Sequence, residues 1–153
     1  MIWPHDLLSI VLAVILGGAI GAEREISGKA AGLRTNVLIC LGAAVFTIIS
    51  KQMAADGPEG SVTRIAAQIV TGVGFLGAGA IIQDRGGVHG LTTAATIWLV
   101  ASIGMACGAR FHHLAVLATL IAVVVLIGLG KLGRPLERYG ARHKRNGTPN
   151  GPA

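Results

Sequence analysis

The sequence is poor in cysteine, aromatic residues and charge. Two cysteines occur among 153 residues, and aromatic and charged residues make up 4% and 13% of the chain. The histidines, cysteines and carboxylates do not recur at the spacings that hold zinc, and no Ser-His-Asp or Cys-His grouping indicates a nucleophile with its base. We therefore expect no metal site, no catalytic residue, no cofactor and no enzymatic activity.

Apolar residues are abundant and lie in runs. They make up 52% of the chain, and the mean hydropathy is +0.68. Five runs approach the length of about 20 residues with which a helix crosses a bilayer. They cover residues 7–22, 37–50, 65–82, 91–108 and 114–130. The pattern predicts an all-α membrane protein, in which residues 1–130 form a bundle of five transmembrane helices.

Basic residues are distributed unevenly over the connections between these runs. Ten of the 13 Lys and Arg residues fall on one side of the predicted membrane, six of them after residue 130. Because cytoplasmic loops carry the excess of Lys and Arg, we predict an outside N-terminus and a cytoplasmic C-terminus. Residues 131–153 are predicted to form a basic, partly disordered tail that anchors on anionic lipid.

The basic pI of about 10.2 raises nucleic-acid binding as an alternative. The tail contains one aromatic residue, Tyr139, whereas proteins that bind single strands stack bases on aromatic side chains. Membrane topology already accounts for the positive charge, so we expect no nucleic-acid partner. The expected partners are the lipid bilayer, other membrane proteins and, as a further option, a second copy in a homo-oligomer.

Glycine is frequent, and most of the 23 glycines lie inside or at the ends of the apolar runs. Glycine lets two membrane helices approach closely, and we expect the glycine-rich third run to be the central packing helix. Its G-x-G-x-x-G spacing lies inside an apolar run, so it does not indicate a nucleotide site. The predicted helix-packing glycines are Gly17, Gly21, Gly72, Gly74, Gly77, Gly79, Gly104 and Gly108.

The two cysteines are expected to be buried thiols without a disulfide. Cys40 is predicted near the cytoplasmic end of the second run and Cys107 at the outer end of the fourth. At about 1.5 Å per residue their depths would differ by roughly 15 Å, whereas a disulfide joins Cα atoms at most about 7 Å apart.

A weak internal repeat relates the first two runs to the next two. GAIGA at 18–22 resembles GFLGA at 74–78, and GLRT at 32–35 resembles GLTT at 90–93, at offsets of 56 and 58 residues. Short glycine matches also arise by chance in such a sequence. A true repeat would be a parallel helix-loop-helix unit, related to its copy by an axis along the membrane normal.

The repeat would place two helix N-termini at the cytoplasmic face. Helix N-termini carry partial positive charge and unpaired N–H groups, so with Arg34 they could hold an anion. Alternatively, Arg34 is an interfacial anchor and the threonines only cap their helices. Gln68 lies near the outer end of its run and would join through a polar path between helices. The predicted functional polar cluster is Glu23, Arg34, Asn36, Gln68, Thr92 and Thr93.

Four long segments carry a family resemblance. They are GAERE at 21–25, AGLRTN at 31–36, RIAAQIVTGVGFLGAGAII at 64–82 and GLTTAATIW at 90–98. Over roughly residues 5–130 the chain resembles the MgtC/SapB family of bacterial inner-membrane proteins. The resemblance implies a multi-pass protein associated with adaptation to low magnesium and survival inside host cells. Many members add a soluble cytoplasmic domain, where this sequence has only residues 131–153.

Two classes of function follow. A regulator that binds other membrane proteins through small-residue helix faces is favoured by the glycine-rich runs. The alternative is a small transporter or channel for Mg²⁺ or another ion. Mg²⁺ prefers oxygen ligands such as carboxylates. The carboxylates here fall at the ends of the predicted spans, with Glu23, Glu25 and Asp84 at the cytoplasmic rim and Asp56 and Glu59 outside.

Overall fold

The computed structural model describes residues 4–55, 61–84 and 87–146, with the backbone alone at 55, 61–65 and 131–146. Its elements are α1 (Pro4–Ile26), α2 (Leu33–Ala55), α3 (Ser61–Gly79), β1 (Ile82–Asp84), β2 (Gly87–His89), α4 (Leu91–Gly108) and α5 (His112–Asn146).

The described chain is mostly helical, as predicted, and contains several candidate membrane spans. Four segments are long and apolar enough to cross a bilayer: α1, most of α2, α4 and His112–Gly130 of α5. The apolar segment described in α3, Ala66–Gly79, is shorter. The expectation of an apolar helical bundle is therefore confirmed, whereas the count of five spans and the orientation stay predictions.

The third apolar run ends earlier than predicted. Helix α3 stops at Gly79, and Ile82 pairs with His89 in an antiparallel hairpin of β1 and β2. The glycines at the end of α3 weaken helix propensity, and the β-branched residues that follow favour strands. Residues 82–84 and 87–89, predicted as the end of a helix and a loop, are therefore two paired strands.

Helix α5 is longer than the fifth apolar run. It continues from His112 past Gly130 to Asn146, so part of the predicted disordered tail has a helical backbone. The predicted disorder of the last residues, 147–153, falls outside the described residues.

Helices α2 and α4, and not α3, form the centre of the bundle. Helix α4 packs against each of the other four helices, α2 packs against α1, α3 and α4, and α5 packs on α1 and α4. One core cluster joins α1, α2, α4 and α5 around Ile20, Cys40 and Val100, and a second joins α3 to α2 and α4 around Ile69 and Val73. The prediction that the third run is the central packing helix is wrong, because α3 packs mainly against α2 and α4, whereas α4 also packs against α1 and α5.

Glycines of α1 and α4 allow these two helices to pack closely against α2. A carbon added at Gly17 of α1 would lie 2.7 Å from Cβ of Cys40, and one added at Gly104 of α4 would collide with the carbonyl oxygen of the same residue. At Gly21 and Gly108 the added carbon would also lie closer than 3.0 Å to α2 atoms. Because α1 and α4 press on α2 at these positions, the four predicted helix contacts are present.

The glycines of α3 behave differently. Gly77 is buried, with ordinary spacing of 3.6 Å from an added carbon to the carbonyl oxygen of Ala94. At Gly72, Gly74 and Gly79 an added carbon would meet no atom of the described chain within 4 Å. Within the described residues these three glycines make no close helix contact, so their predicted role in helix packing stays a prediction.

Both cysteines are free and buried, as predicted. Their predicted separation in depth is wrong. Gly104 lies against Cys40, and Cys107 follows Gly104 by three residues, which is about 4.5 Å along a helix. The prediction assumes that the apolar runs of α2 and α4 end at the same depth. In the structure, α2 extends to Ala55, beyond the end of α4.

The packing supports the internal repeat. Gly21 faces Asn36 between α1 and α2, and Gly77 faces Ala94 between α3 and α4, at the offsets of 56 and 58 residues found in the sequence. The repeat would match α1 to α3 and α2 to α4. It would therefore match the contact of α1 with α4 to the contact of α2 with α3, and both contacts are present, while α2 and α4 also contact each other. Other contacts do not repeat, since a carbon added at Gly18 lies 3.7 Å from Val37 and one added at its counterpart Gly74 meets no described atom within 4 Å, so the parallel repeat stays a prediction.

A polar layer closes the end of the bundle where α1 begins. The buried carboxylate of Asp6 accepts a hydrogen bond from Arg110 at 3.0 Å. The Ser9 hydroxyl donates to the carbonyl of His5 at 3.1 Å, and the same oxygen lies 3.0 Å from Nε2 of His112. The sequence did not indicate this layer, because its members are far apart in the chain.

Candidate functional site

A second buried polar layer lies at the opposite end, where α1 ends and α2 and α4 begin; we call this the basic end. Each side chain of the layer lies one or two helical turns beyond a residue of the core cluster shared by α1, α2 and α4. The helices therefore bring these side chains to one level. With exposed fractions of 0 to 5%, they are Arg24, Asn36, Thr93 and Thr96.

Arg24 is a buried cation with little to balance it. Its side chain is 4% exposed, and Nη1 lies 3.6 Å from Oε2 of Glu23, the preceding residue. Its Nε and Nη2 atoms have no hydrogen-bond partner in the described part of the chain. Leaving a buried neutral polar group without a hydrogen-bond partner costs about 1–3 kcal/mol, and leaving a buried charged group without its partners costs more. Arg24 is therefore the residue most in need of an explanation beyond folding.

Asn36 connects α2 to the α1–α2 loop. Its Nδ2 donates to the carbonyl oxygens of Ala31 and Gly32, the second at 2.9 Å, while its buried Oδ1 has no partner among the described residues. Ala31 has a φ of 57°, a left-handed conformation that costs a non-glycine residue about 1–2 kcal/mol. The bonds from Asn36 hold this loop in place.

The two glutamates at the end of α1 have different roles. Oε2 of Glu25 accepts a hydrogen bond from the backbone N–H of Leu33 at 2.9 Å and so caps the first turn of α2. Oε1 of Glu23 accepts from the hydroxyl of Ser27 at 2.7 Å, and its Oε2 faces Arg24. Of these two glutamates, Glu23 therefore lies beside the buried layer and Glu25 does not.

The structure divides the predicted polar cluster. Asn36 and Thr93 are buried in the layer, and Glu23 is partly buried beside it. Arg34, Thr92 and Gln68 are exposed, and Gln68 lies on α3 away from the layer. The sequence did not indicate a special role for Arg24, because it lies among the charged residues that follow the first apolar run. The signal that could have identified it is helical spacing, because Arg24 follows the packing glycines Gly17 and Gly21 by seven and three residues and so shares their buried face of α1.

Gln68 instead lines an apolar groove between α2 and α3. The groove has a volume of about 510 Å³ and is lined by residues of α2 and α3. It is lined by Leu38, Gly42 and Phe46 of α2 and by Gln68, Gly72 and Leu76 of α3, among others. The structure therefore has two separate candidate sites, the buried layer and this groove.

Comparisons with known proteins agree on one family. The family model described as the MgtC family matches residues 10–135. Protein MgtC of Brucella abortus is 45% identical over 139 residues, which is 89% of this chain and 56% of that protein. Protein MgtC of Salmonella typhimurium is 47% identical over 138 residues, 90% of this chain and 58% of that protein.

A further relative carries a functional name. The Escherichia coli protein called "Putative magnesium transporter YhiD" is 47% identical over 127 residues, covering 78% of this chain and 58% of that protein. The chain thus spans a little over half the length of these relatives. No solved structure matches it significantly. The family model covers most of the chain and the relatives are well above 30% identical, so this protein belongs to the MgtC family.

Proposed function

We propose that this protein is a multi-pass protein of the bacterial inner membrane that regulates other membrane proteins by binding them through the open face of α3. Adaptation to low magnesium and survival inside host cells are the processes in which it would act. The observation that carries the proposal is the open face itself. Its exposed residues are Gln68, Thr71, Gly72, Phe75 and Gly79.

The chemistry of this face suits lateral contact with another helix. A partner backbone has room to approach Gly72 and Gly79, because a carbon added at either glycine meets no described atom within 4 Å. Phe75 is 81% exposed and offers apolar surface between them. Gln68 and Thr71 supply polar groups of the kind that bond across membrane helices. The face combines close approach with hydrogen bonding.

We expect Gly72→Leu to abolish support of growth at low magnesium while leaving the protein folded. The side chain would fill the space that the partner helix needs, and its Cβ would meet no described atom within 4 Å. Gly128→Leu is the matched control, because a Cβ added at Gly128 of α5 also meets no described atom within 4 Å and Gly128 lies outside the proposed face. Growth, membrane abundance and cross-linking from position 75 to neighbouring proteins would be measured. Equal growth of both variants would reject the face as a docking surface.

Ion transport is the second candidate, supported by the name of the E. coli relative. The buried charged side chain at the basic end is a cation, Arg24, which would repel Mg²⁺ on a path through that end. Mg²⁺ flux into liposomes that contain the purified protein discriminates the two functions. Flux above that of empty liposomes, lost on a single substitution at the basic end, would favour the transporter.

The orientation gives a further prediction. In a variant that lacks Cys40 and Cys107, a single cysteine introduced between residues 56 and 60 should react with a membrane-impermeant thiol reagent added to intact cells. A cysteine introduced after residue 131 should react only after the cells are opened, because the excess of Lys and Arg keeps that segment inside. Labelling of the tail in intact cells would reverse the assigned orientation.

A further inference from the structure

We infer that Arg24 forms a binding site for a phosphate group that carries a hydrogen-bond donor beside its oxygens. The two unpartnered nitrogens, Nε and Nη2, form one edge of the planar guanidinium, and their N–H bonds run in parallel. This edge fits two oxygens of one oxyanion in the bidentate arrangement. Glu23 approaches only Nη1, so the ion pair leaves the edge available.

The surroundings of Arg24 favour an anion. Helices α2 and α4 both begin at the basic end, and each N-terminus carries about half a positive charge. Gly90, the N-cap of α4, supplies no side-chain cap. Glu25 already balances the N-terminus of α2 through its bond with the backbone of Leu33, so Glu23 is left beside the buried guanidinium.

The unpartnered acceptors favour phosphate over a carboxylate ligand. Oδ1 of Asn36 and Oε2 of Glu23 are buried and receive no hydrogen bond from the described chain. A carboxylate would fill the edge of Arg24 and leave both acceptors without a donor. Hydrogen phosphate carries an O–H group, and phosphatidylethanolamine carries an ammonium group next to its phosphate. Either can satisfy the donors and the acceptors together.

The α1–α2 loop controls access to this site. The four unpartnered atoms have no contact with solvent, so the loop has to move before a phosphate group reaches them. The loop is held by the bonds from Asn36 to Ala31 and Gly32 and by that of Glu25 to Leu33. These few bonds can open without unfolding α1 or α2. Exchange of the ligand should therefore be slow, and binding assays need long incubation.

Two measurements on the purified full chain distinguish the sources of the phosphate. Thermal unfolding of delipidated protein in detergent compares sodium phosphate with sodium sulfate at equal ionic strength, because both salts stabilise proteins in general and sulfate has no hydrogen-bond donor. Native mass spectrometry compares retention of phosphatidylethanolamine with that of phosphatidylcholine, whose headgroup has no hydrogen-bond donor. A higher Tm in phosphate indicates the free ion. Preferential retention of phosphatidylethanolamine indicates a lipid headgroup, and either result supports the site.

Substitutions assign the binding to Arg24. Arg24→Lys keeps the charge and loses the bidentate edge, so affinity should fall about tenfold or more. Arg34→Lys is the control, because Arg34 is exposed at the same end. Equal binding by the Arg24→Lys variant would overturn the inference, as would a parent protein that distinguishes neither phosphate from sulfate nor the two lipids. The measurements on the parent can therefore overturn the inference even if Arg24→Lys does not fold.

Discussion

Replacing Gly104 by alanine is expected to prevent recovery of folded protein from the membrane. The added methyl group would collide with the backbone carbonyl of Cys40, which cannot rotate away because it belongs to a helix. Overpacking of a core costs about 1–3 kcal/mol when side chains can adjust. Here the axes of α2 and α4 have to separate, and Cys40 is also held by Gly17 of α1 from another side. The effect should therefore reach the upper end of that range or beyond.

Gly74→Ala provides the matched control for this substitution. It adds the same methyl group to the interior of a helix, but no atom of the described chain lies within 4 Å of the added carbon. Alanine is a better helix former than glycine by about 1 kcal/mol, so stability should be unchanged or higher. Size-exclusion profiles and unfolding curves in detergent measure both variants. If Gly104→Ala is as stable as Gly74→Ala, α2 and α4 are not in close contact.

This contrast shows what composition could and could not predict. Long apolar runs fix the helices, because a backbone in lipid has to satisfy its own hydrogen bonds. Glycine in such a run marks a place where a backbone can be approached, and does not say by what. Gly17 and Gly104 press on α2, whereas a carbon added at Gly72 or Gly74 meets no described atom within 4 Å. The density of glycine therefore led to the wrong central helix.

The candidate site was predicted in part for a related reason. Asn36 and Thr93 stood out because each follows the start of a helix in a matching half of the repeat. Arg24 follows the packed face of α1, but its neighbours Glu23 and Glu25 made the segment look like a solvated loop. The partners of a buried charge come from other helices. Their presence or absence is a property of packing that no local pattern contains.

Replacing Asn36 by alanine is expected to destabilise the protein, whereas Arg34→Ala should leave its stability unchanged. Asn36 is fully buried and holds the carbonyls of Ala31 and Gly32, so its loss leaves at least the first without a donor. Each such loss costs about 1–3 kcal/mol. Removal of the unpartnered Oδ1 offsets part of that cost. We expect a net loss of about 1–2 kcal/mol, which corresponds to a Tm lower by roughly 2–8 °C.

Arg34 is the appropriate control because it lies in the same first turn of α2 and is exposed. Substitutions at exposed positions usually change stability by less than about 0.5 kcal/mol. Unfolding curves in one detergent, without phosphate or added lipid, compare the two variants with the parent. A Tm for Asn36→Ala equal to that of Arg34→Ala would show that the α1–α2 loop does not depend on Asn36. The loop would then be free to open over Arg24, and the buried layer would be accessible without breaking these bonds.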